Sequence, residues 1–310
     1  MTLLPSSETS FRNILVIGGS GFVGGHLIAQ LAASGRRVVV PTRRLQRARH
    51  LLVLPTVRVV EADVHDEKTL DRLLQGIDAV INLVGVLHSK PGTPYGPAFA
   101  RAHVELPRKI IAACAARGVS RYLHMSSLGA AADAPSMYQR SKAAGEAAAH
   151  AHPEIATTIF RPSVVFGADD KFLNMFASLQ KFLPLMLLGG AEAKLQPVFV
   201  GDVAQAFVNA LDNGATFGKT LELAGPTVYT LRQLVMLAGA YSGHVRPVLG
   251  LPLPLARLQA FIFEHLPGEP LLSRDNLDSL KTANVASHPF PPELGIVPQP
   301  LESIAPHYLR

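Results

Sequence analysis

The chain has 310 residues, 48% of them apolar and 17% charged, a balance that excludes a disordered chain and allows a sizeable core in one large domain or a domain with a smaller lobe. Its single cysteine, Cys114, excludes an internal disulfide and suits a reducing compartment. The net charge of +6 gathers at Arg36, Arg37, Arg43, Arg44, Arg47 and Arg49, but without interleaved aromatics or a nucleic-acid motif it does not mark a nucleic-acid surface, and the histidines and carboxylates show no metal-ligand spacing.

Residues 1–12 read as an N-terminal extension without the basic-then-apolar order of a secretory signal. No uncharged apolar run approaches the roughly 18 residues that a spanning helix needs. The expected location is the cytoplasm, or peripherally the inner face of a membrane. Mean hydropathy is slightly positive, which hints at a partner protein or a membrane surface unless a large core accounts for it.

In chain order, Asn13 to Gly18 is a short buried strand, and a helix follows from Phe22 to about Ala33, stopped by Gly35. Further strands are expected over Arg37–Pro41, Val57–Glu61, Ala79–Val84, Arg121–Met125 and Ala156–Phe160, with helices over Ala98–Arg117 and Met137–His150. Apolar runs alternating with helices imply a Rossmann-type, doubly wound parallel sheet in an α/β fold, covered on both faces, with a crevice at the carboxyl ends of its strands.

After Gly167 the pattern loosens. Phe172–Leu188 reads as an apolar helix broken near Pro184. Asp202 and Thr230 read as N-caps of helices over Val203–Leu211 and Leu231–Ala240. Leu221–Leu223 could be a late strand, Leu255–Leu266 an amphipathic helix, and the tail from Pro289 irregular. The domain reading is a dinucleotide-binding domain over 13–167 and a smaller lobe over 168–310, with 197–225 returning to the first.

Gly18, Gly21 and Gly24 sit three apart between a strand and a helix, and Gly19, Gly21 and Gly24 also satisfy G-x-G-x-x-G. A sharp turn, backbone approach to a pyrophosphate and close helix–sheet packing each exclude a Cβ. The loop Gly18-Gly19-Ser20-Gly21-Phe22-Val23-Gly24 is therefore expected to hold dinucleotide phosphates at a helix N-terminus. The second strand ends in Thr42-Arg43-Arg44, where NAD-selective proteins usually carry an acid for the ribose 2′-hydroxyl. A guanidinium there clamps a 2′-phosphate, so NADP(H) is expected over NAD(H), with Arg43 favoured above Arg44. Asp63, followed by Val64, is read as reaching the adenine amino group or as capping a helix, and both could hold.

Tyr138 and Lys142 are four apart, on one face if the segment is helical. An ammonium beside a phenol should lower the Tyr138 pKa, fitting it to pass a proton to a carbonyl oxygen. Ser126 and Ser127 end the fifth strand upstream, and either hydroxyl could bond the same oxygen.

The set Gly18-x-x-Gly21-x-x-Gly24, Asp63-Val64, Asn82-Leu83-Val84-Gly85, Ser126-Ser127 and Tyr138-x-x-x-Lys142 resembles the extended and atypical short-chain dehydrogenases and reductases, including the epimerase/dehydratase type. Arg161-Pro162-Ser163 through Gly167 and Pro197 through Val203 resemble later stretches of that superfamily. Within it, Val40-Pro41-Thr42-Arg43, Ile81 through Gly85, Phe166 through Asn174 and Gln196-Pro197-Val198 are similar to relatives of the 39-kDa accessory subunit of respiratory complex I. The resemblance runs from about Asn13 to Pro226. It implies pyrophosphate on the glycines, the 2′-phosphate on Arg43, adenine against Asp63 and Val64, nicotinamide ribose on Lys142 and Tyr138 as acid/base. Leu83, Val84, Gly85, Arg161 and Pro162 complete the implied cofactor contacts. Two positions depart from the pattern: Ile17 stands where a threonine is usual, and His103 where extended relatives often carry an asparagine.

Two functions compete. One is an NADP(H)-dependent oxidoreductase using Tyr138, Lys142 and Ser126 or Ser127 on a carbonyl, sugar-nucleotide or quinone-type substrate. The other is an NADP(H)-binding accessory protein of a respiratory or ubiquinone-related membrane assembly.

Overall fold

The structure, a computed structural model, describes residues 11–268 and 270–309. The extension assigned to residues 1–12 thus lies outside the described residues except for Phe11 and Arg12. Apolar runs too continuous to leave a face in water become central strands. β1 (Asn13–Ile17), β2 (Arg37–Thr42), β3 (Val57–Glu61), β4 (Ala79–Asn82), β5 (Arg121–Met125) and β6 (Ala156–Pro162) join the strand Thr220–Leu223 in one parallel sheet. From one edge the order is Thr220–Leu223, β6, β5, β4, β1, β2, β3.

The pleat sends Ile14 and Val16 to one face and Leu15 and Ile17 to the other. Helix α1 (Phe22–Ala33) and the helix Val200–Leu211 cover the first face through Leu27, Ile28, Leu31, Val203 and Phe207. The helices Glu67–Leu73, Leu106–Arg117 and Met137–Ala149 cover the second through Leu70, Leu106, Ile110 and Ala149. The chain leaves β1 over one face and β4 over the other, so a crevice opens between these neighbours at their carboxyl ends.

The helix Val200–Leu211 packs on this sheet, the strand Thr220–Leu223 pairs at its edge, and a buried arginine ties the helix there. Arg121 donates to the carbonyls of Ala210 (2.6 Å), Leu211 (3.0 Å) and Ala156 (2.6 Å) and to the hydroxyls of Thr158 and Thr216. Two of those carbonyls end the helix Val200–Leu211, where a cation also meets the negative end of the helix dipole.

The smaller lobe packs the helices Leu173–Phe182 and Leu231–Tyr241 about Phe176, Leu188, Leu234, Val235 and Ala238. Beyond Gly167 the structure refines three sequence expectations. The helix expected over Phe172–Leu188 ends at Phe182, ahead of Pro184, and Met186–Gly189 is a strand parallel to Val248–Leu251. Asp202 is not an N-cap, because its helix begins at Val200; its carboxylate accepts from the Gln299 N–H at 2.7 Å. The irregular tail is nonetheless anchored, with Leu294, Leu301 and Leu309 buried. Thr230 does cap its helix, reciprocally with Gln233.

Candidate functional site

The bend after β1 divides three tasks among four glycines. Gly18 lies at φ +84°, and its carbonyl accepts from the Gly21 N–H at 3.1 Å. Gly24 lets α1 settle onto the turn, since a Cβ there would lie 2.4 Å from the Gly19 carbonyl oxygen. Gly19 serves packing too, against Ile28 and Val40, rather than lining the crevice. Gly21 is the N-cap of α1, makes no side-chain cap, and no acidic residue sits in the first turn. The first N–H groups of α1 and its positive dipole end therefore face the crevice beside Gly18, Ser20, Gly21, Phe22 and Val23. That arrangement fits a diphosphate.

From this bend the crevice runs in two directions. One arm passes Thr42, Arg43 and Arg44 at the end of β2, Arg47 in the short helical segment Leu45–Leu51 that follows, and Asp63 and Val64 after β3. Among the described residues none of these three arginines is ion-paired with a carboxylate. The Thr42 hydroxyl turns back on the Arg44 backbone. Asp63 is exposed, accepts from the His65 N–H, and does not cap the next helix; Asp66 does, through the Thr69 N–H.

The other arm passes Leu83, Val84 and Gly85 after β4, then Ser126 and Ser127 after β5, Tyr138, Lys142 and Pro162. Tyr138 and Lys142 share one face of the helix Met137–Ala149, with the Lys142 Nζ 5.8 Å from the Tyr138 ring centre. Lys142 donates to the Met125 carbonyl at 3.1 Å, and burial pushes its pKa down to about 8. The expected lowering of the Tyr138 pKa does not occur. Burial of the phenol outweighs its neighbours and raises it, while Ser127 nearby, outside hydrogen-bonding geometry, only eases ionisation. Both serine hydroxyls are buried without a protein partner and border the crevice, so a ligand oxygen there would satisfy them. Arg161 stands apart: it forms a two-pronged pair with Glu146 at 2.8 and 2.5 Å and does not line the crevice.

His103 is the buried hub behind this arm. It lies in a π-helical stretch, Ala100–Glu105, that leads into the helix Leu106–Arg117. Its Nε2 accepts from the Val86 N–H at 3.0 Å, which leaves the proton on Nδ1 to face the Ser141 hydroxyl at 2.8 Å. Ser141 in turn donates to the Tyr138 carbonyl at 2.7 Å. Burial holds His103 neutral, with its pKa pushed down to about 2. The imidazole thus joins the loop after β4 to the tyrosine's helix. The sequence marks neither Ser141 nor Asp275, whose carboxylate accepts from the N–H groups of Met137 (2.6 Å) and Tyr138 (3.0 Å). Asp275 comes from the other lobe, 137 residues on from Tyr138, and no local pattern signals such a contact.

A parallel sheet of this order, with a glycine bend offering bare helix N–H groups at its switch point, defines a nicotinamide-dinucleotide-binding Rossmann protein. The chain belongs to the NAD dependent epimerase/dehydratase family, which residues 14–224 match. Its relatives include the protein named NADH dehydrogenase (ubiquinone) 1 alpha subcomplex subunit 9, mitochondrial. The Arabidopsis thaliana form is 35% identical over 290 residues, covering 88% of this chain and 70% of that one. The Mus musculus form is 32% identical over 304 residues, covering 95% and 79%. Among solved structures, a UDP-glucuronic acid 4-epimerase from Bacillus cereus shares the fold with a TM-score of 0.67 at 20% identity, covering 96% of this chain and 99% of that one. Among the described residues no helix is long and apolar enough to cross a membrane.

Proposed function

We propose that this protein binds NADP(H) and serves as an accessory protein of a respiratory, complex I-like membrane assembly. The observation that carries this reading is the helix Leu253–Glu264. Ala256 and Ala260 bury one side of it, yet Leu255, Leu258, Phe261 and Ile262 stand exposed on the other. An apolar helix side left bare in this way, beside Arg257 and Gln259, is normally covered by protein or by lipid. The names of the mitochondrial relatives support a respiratory assembly as that cover. Leu258→Glu together with Ile262→Glu should release the protein from the membrane fraction of its native cells at low salt, while cofactor content stays unchanged. A wild-type protein recovered wholly in the soluble fraction without detergent would sink the docking reading.

NADP(H) is favoured by Arg43, Arg44 and Arg47 at and just after the end of β2, with no acid among them to hold a 2′-hydroxyl. Mass spectrometry of cofactor released from purified protein should find NADP or NADPH. Finding NAD alone would overturn this preference.

A second reading, carbonyl reduction, is favoured by the joint placement of Ser127, Tyr138 and Lys142 on one arm of the crevice. Bound nicotinamide would supply hydride chemistry. Of the chain's own groups, the Ser126 and Ser127 hydroxyls would hold the carbonyl oxygen, and Tyr138 would pass it a proton. With its raised pKa the phenol is a proton donor at neutral pH. Lys142 would bond the nicotinamide ribose.

A further inference from the structure

The crevice does not end at Tyr138. It continues into the smaller lobe, and the whole encloses about 2270 Å³. An ordinary small-molecule site spans about 300–1,000 Å³, so there is room for a second molecule beside a dinucleotide. The extension is walled by Met175, Leu179, Met186, Leu188, Phe263 and Leu272. These come from the helices Leu173–Phe182 and Leu253–Glu264, the strand Met186–Gly189 and the loop before Ser273.

Its charges are sorted. Every arginine on the crevice wall, Arg43, Arg44, Arg47 and Arg101, belongs to the dinucleotide half. The lobe half brings Asp169, Asp170 and a single lysine, Lys171. A second diphosphate, such as that of a nucleotide sugar, would meet the Asp169 carboxylate and, among the described residues, no arginine to clamp it, while the Asp170 carboxylate is turned inward to the N–H groups of Gly167, Phe172 and Leu173 and to the Tyr308 hydroxyl. A hydrocarbon chain would instead bury itself against leucine, methionine and phenylalanine. The mouth agrees: Leu183, Leu187 and Leu271 both line the crevice and are exposed, and the Leu187 carbonyl accepts from the Gln259 side chain of the helix Leu253–Glu264.

We infer that the lobe chamber is a lipid-chain site. Its ligand is a long-chain molecule drawn from an apolar phase, with its polar carbonyl head at Ser126, Ser127 and Tyr138 and its chain among Leu179, Met186, Leu188 and Leu272. The site requires neither turnover nor docking on a respiratory assembly, and it is tested apart from both.

The test is equilibrium binding to the purified full-length protein loaded with NADPH, read by calorimetry with three probes. Hexadecanal represents an acyl chain, farnesal an isoprenoid chain, and UDP-glucose a nucleotide sugar. At least one aldehyde should bind saturably, one to one, and which of the two binds tighter assigns the chain type; UDP-glucose should not bind. Leu179→Trp, which fills the chamber, should weaken aldehyde binding by about tenfold or more, a loss of about 1.4 kcal/mol, and leave NADPH binding intact. Leu272→Trp serves the same end should Leu179→Trp not fold. Binding of UDP-glucose but neither aldehyde overturns the inference, as does the absence of one-to-one binding by both aldehydes. So does aldehyde binding that survives the tryptophans but vanishes in Leu258→Glu/Ile262→Glu, since that marks adsorption to the outer surface alone.

Discussion

His103 decides more at its own position than its place in the sequence conveys. Nε2 accepts from Val86 and Nδ1 faces Ser141, so the ring must stay neutral to keep both bonds. Its pKa lies at about 2 in the fold against 6.5 when free, and that of the equally buried His124 at about 3. Below pH 6.5 the unfolded chain therefore takes up protons that the folded chain refuses. Stability is complete above that pH and falls on acidification, by about 1.4 kcal/mol per pH unit for each histidine. His103→Asn keeps one acceptor and one donor in similar places. Its melting temperature between pH 7 and pH 5 should fall distinctly less than that of the wild type. Parallel acid limbs in a thermal-melt series would show that His103 does not titrate as argued. The motif pattern marks His103 as a departure from asparagine, but its neutral form follows from burial, which no motif records.

At the scale of elements, the helix Met137–Ala149 is held from both lobes. Ser136 caps it through the Gln139 N–H, and Asp275 takes the next two free N–H groups. A carboxylate at a helix N-terminus is favoured by hydrogen bonds and by the dipole alike. Burial raises the pKa of Asp275, and the two N–H donors oppose that rise. Asp275→Ala should cost about 1–3 kcal/mol in urea unfolding and loosen the smaller lobe against the crevice. Hydrogen exchange should then quicken at Met137 and Tyr138; unchanged exchange there would refute the tie. The helix itself was legible to within one residue, because its alanines and its Gln139, Arg140, Lys142 and Glu146 form helix readily. The tie was not legible, because it joins residues far apart in the chain.

At the scale of the molecule, Arg121 secures the helix Val200–Leu211 to the sheet. It reaches five acceptors, among them two helix-end carbonyls, and its guanidinium lies 4.4 Å from the Phe217 ring centre. Arg121→Met would remove a donor from the Ala156, Ala210 and Leu211 carbonyls, at a cost of about 1–3 kcal/mol by chemical denaturation. A loss under about 1 kcal/mol would mean that water replaces the guanidinium.

The sequence by itself determined the sheet and the glycine bend. Short apolar runs alternating with helical patterns fit strands covered on both faces, and the glycines, between such a run and a helical pattern, fit a tight turn feeding a helix. The placement of Arg43, Ser126 and Ser127 along the crevice follows from the same rule, since each comes directly after a strand's carboxyl end, whereas Tyr138 and Lys142 reach it from one face of the helix Met137–Ala149. Tertiary structure alone decided the rest. It turned Arg161 to Glu146, made a strand of Met186–Gly189, raised the Tyr138 pKa and opened an apolar chamber walled by the helices Leu173–Phe182 and Leu253–Glu264. Each of these depends on burial or on partners distant in sequence, and neither is written in the local order of residues.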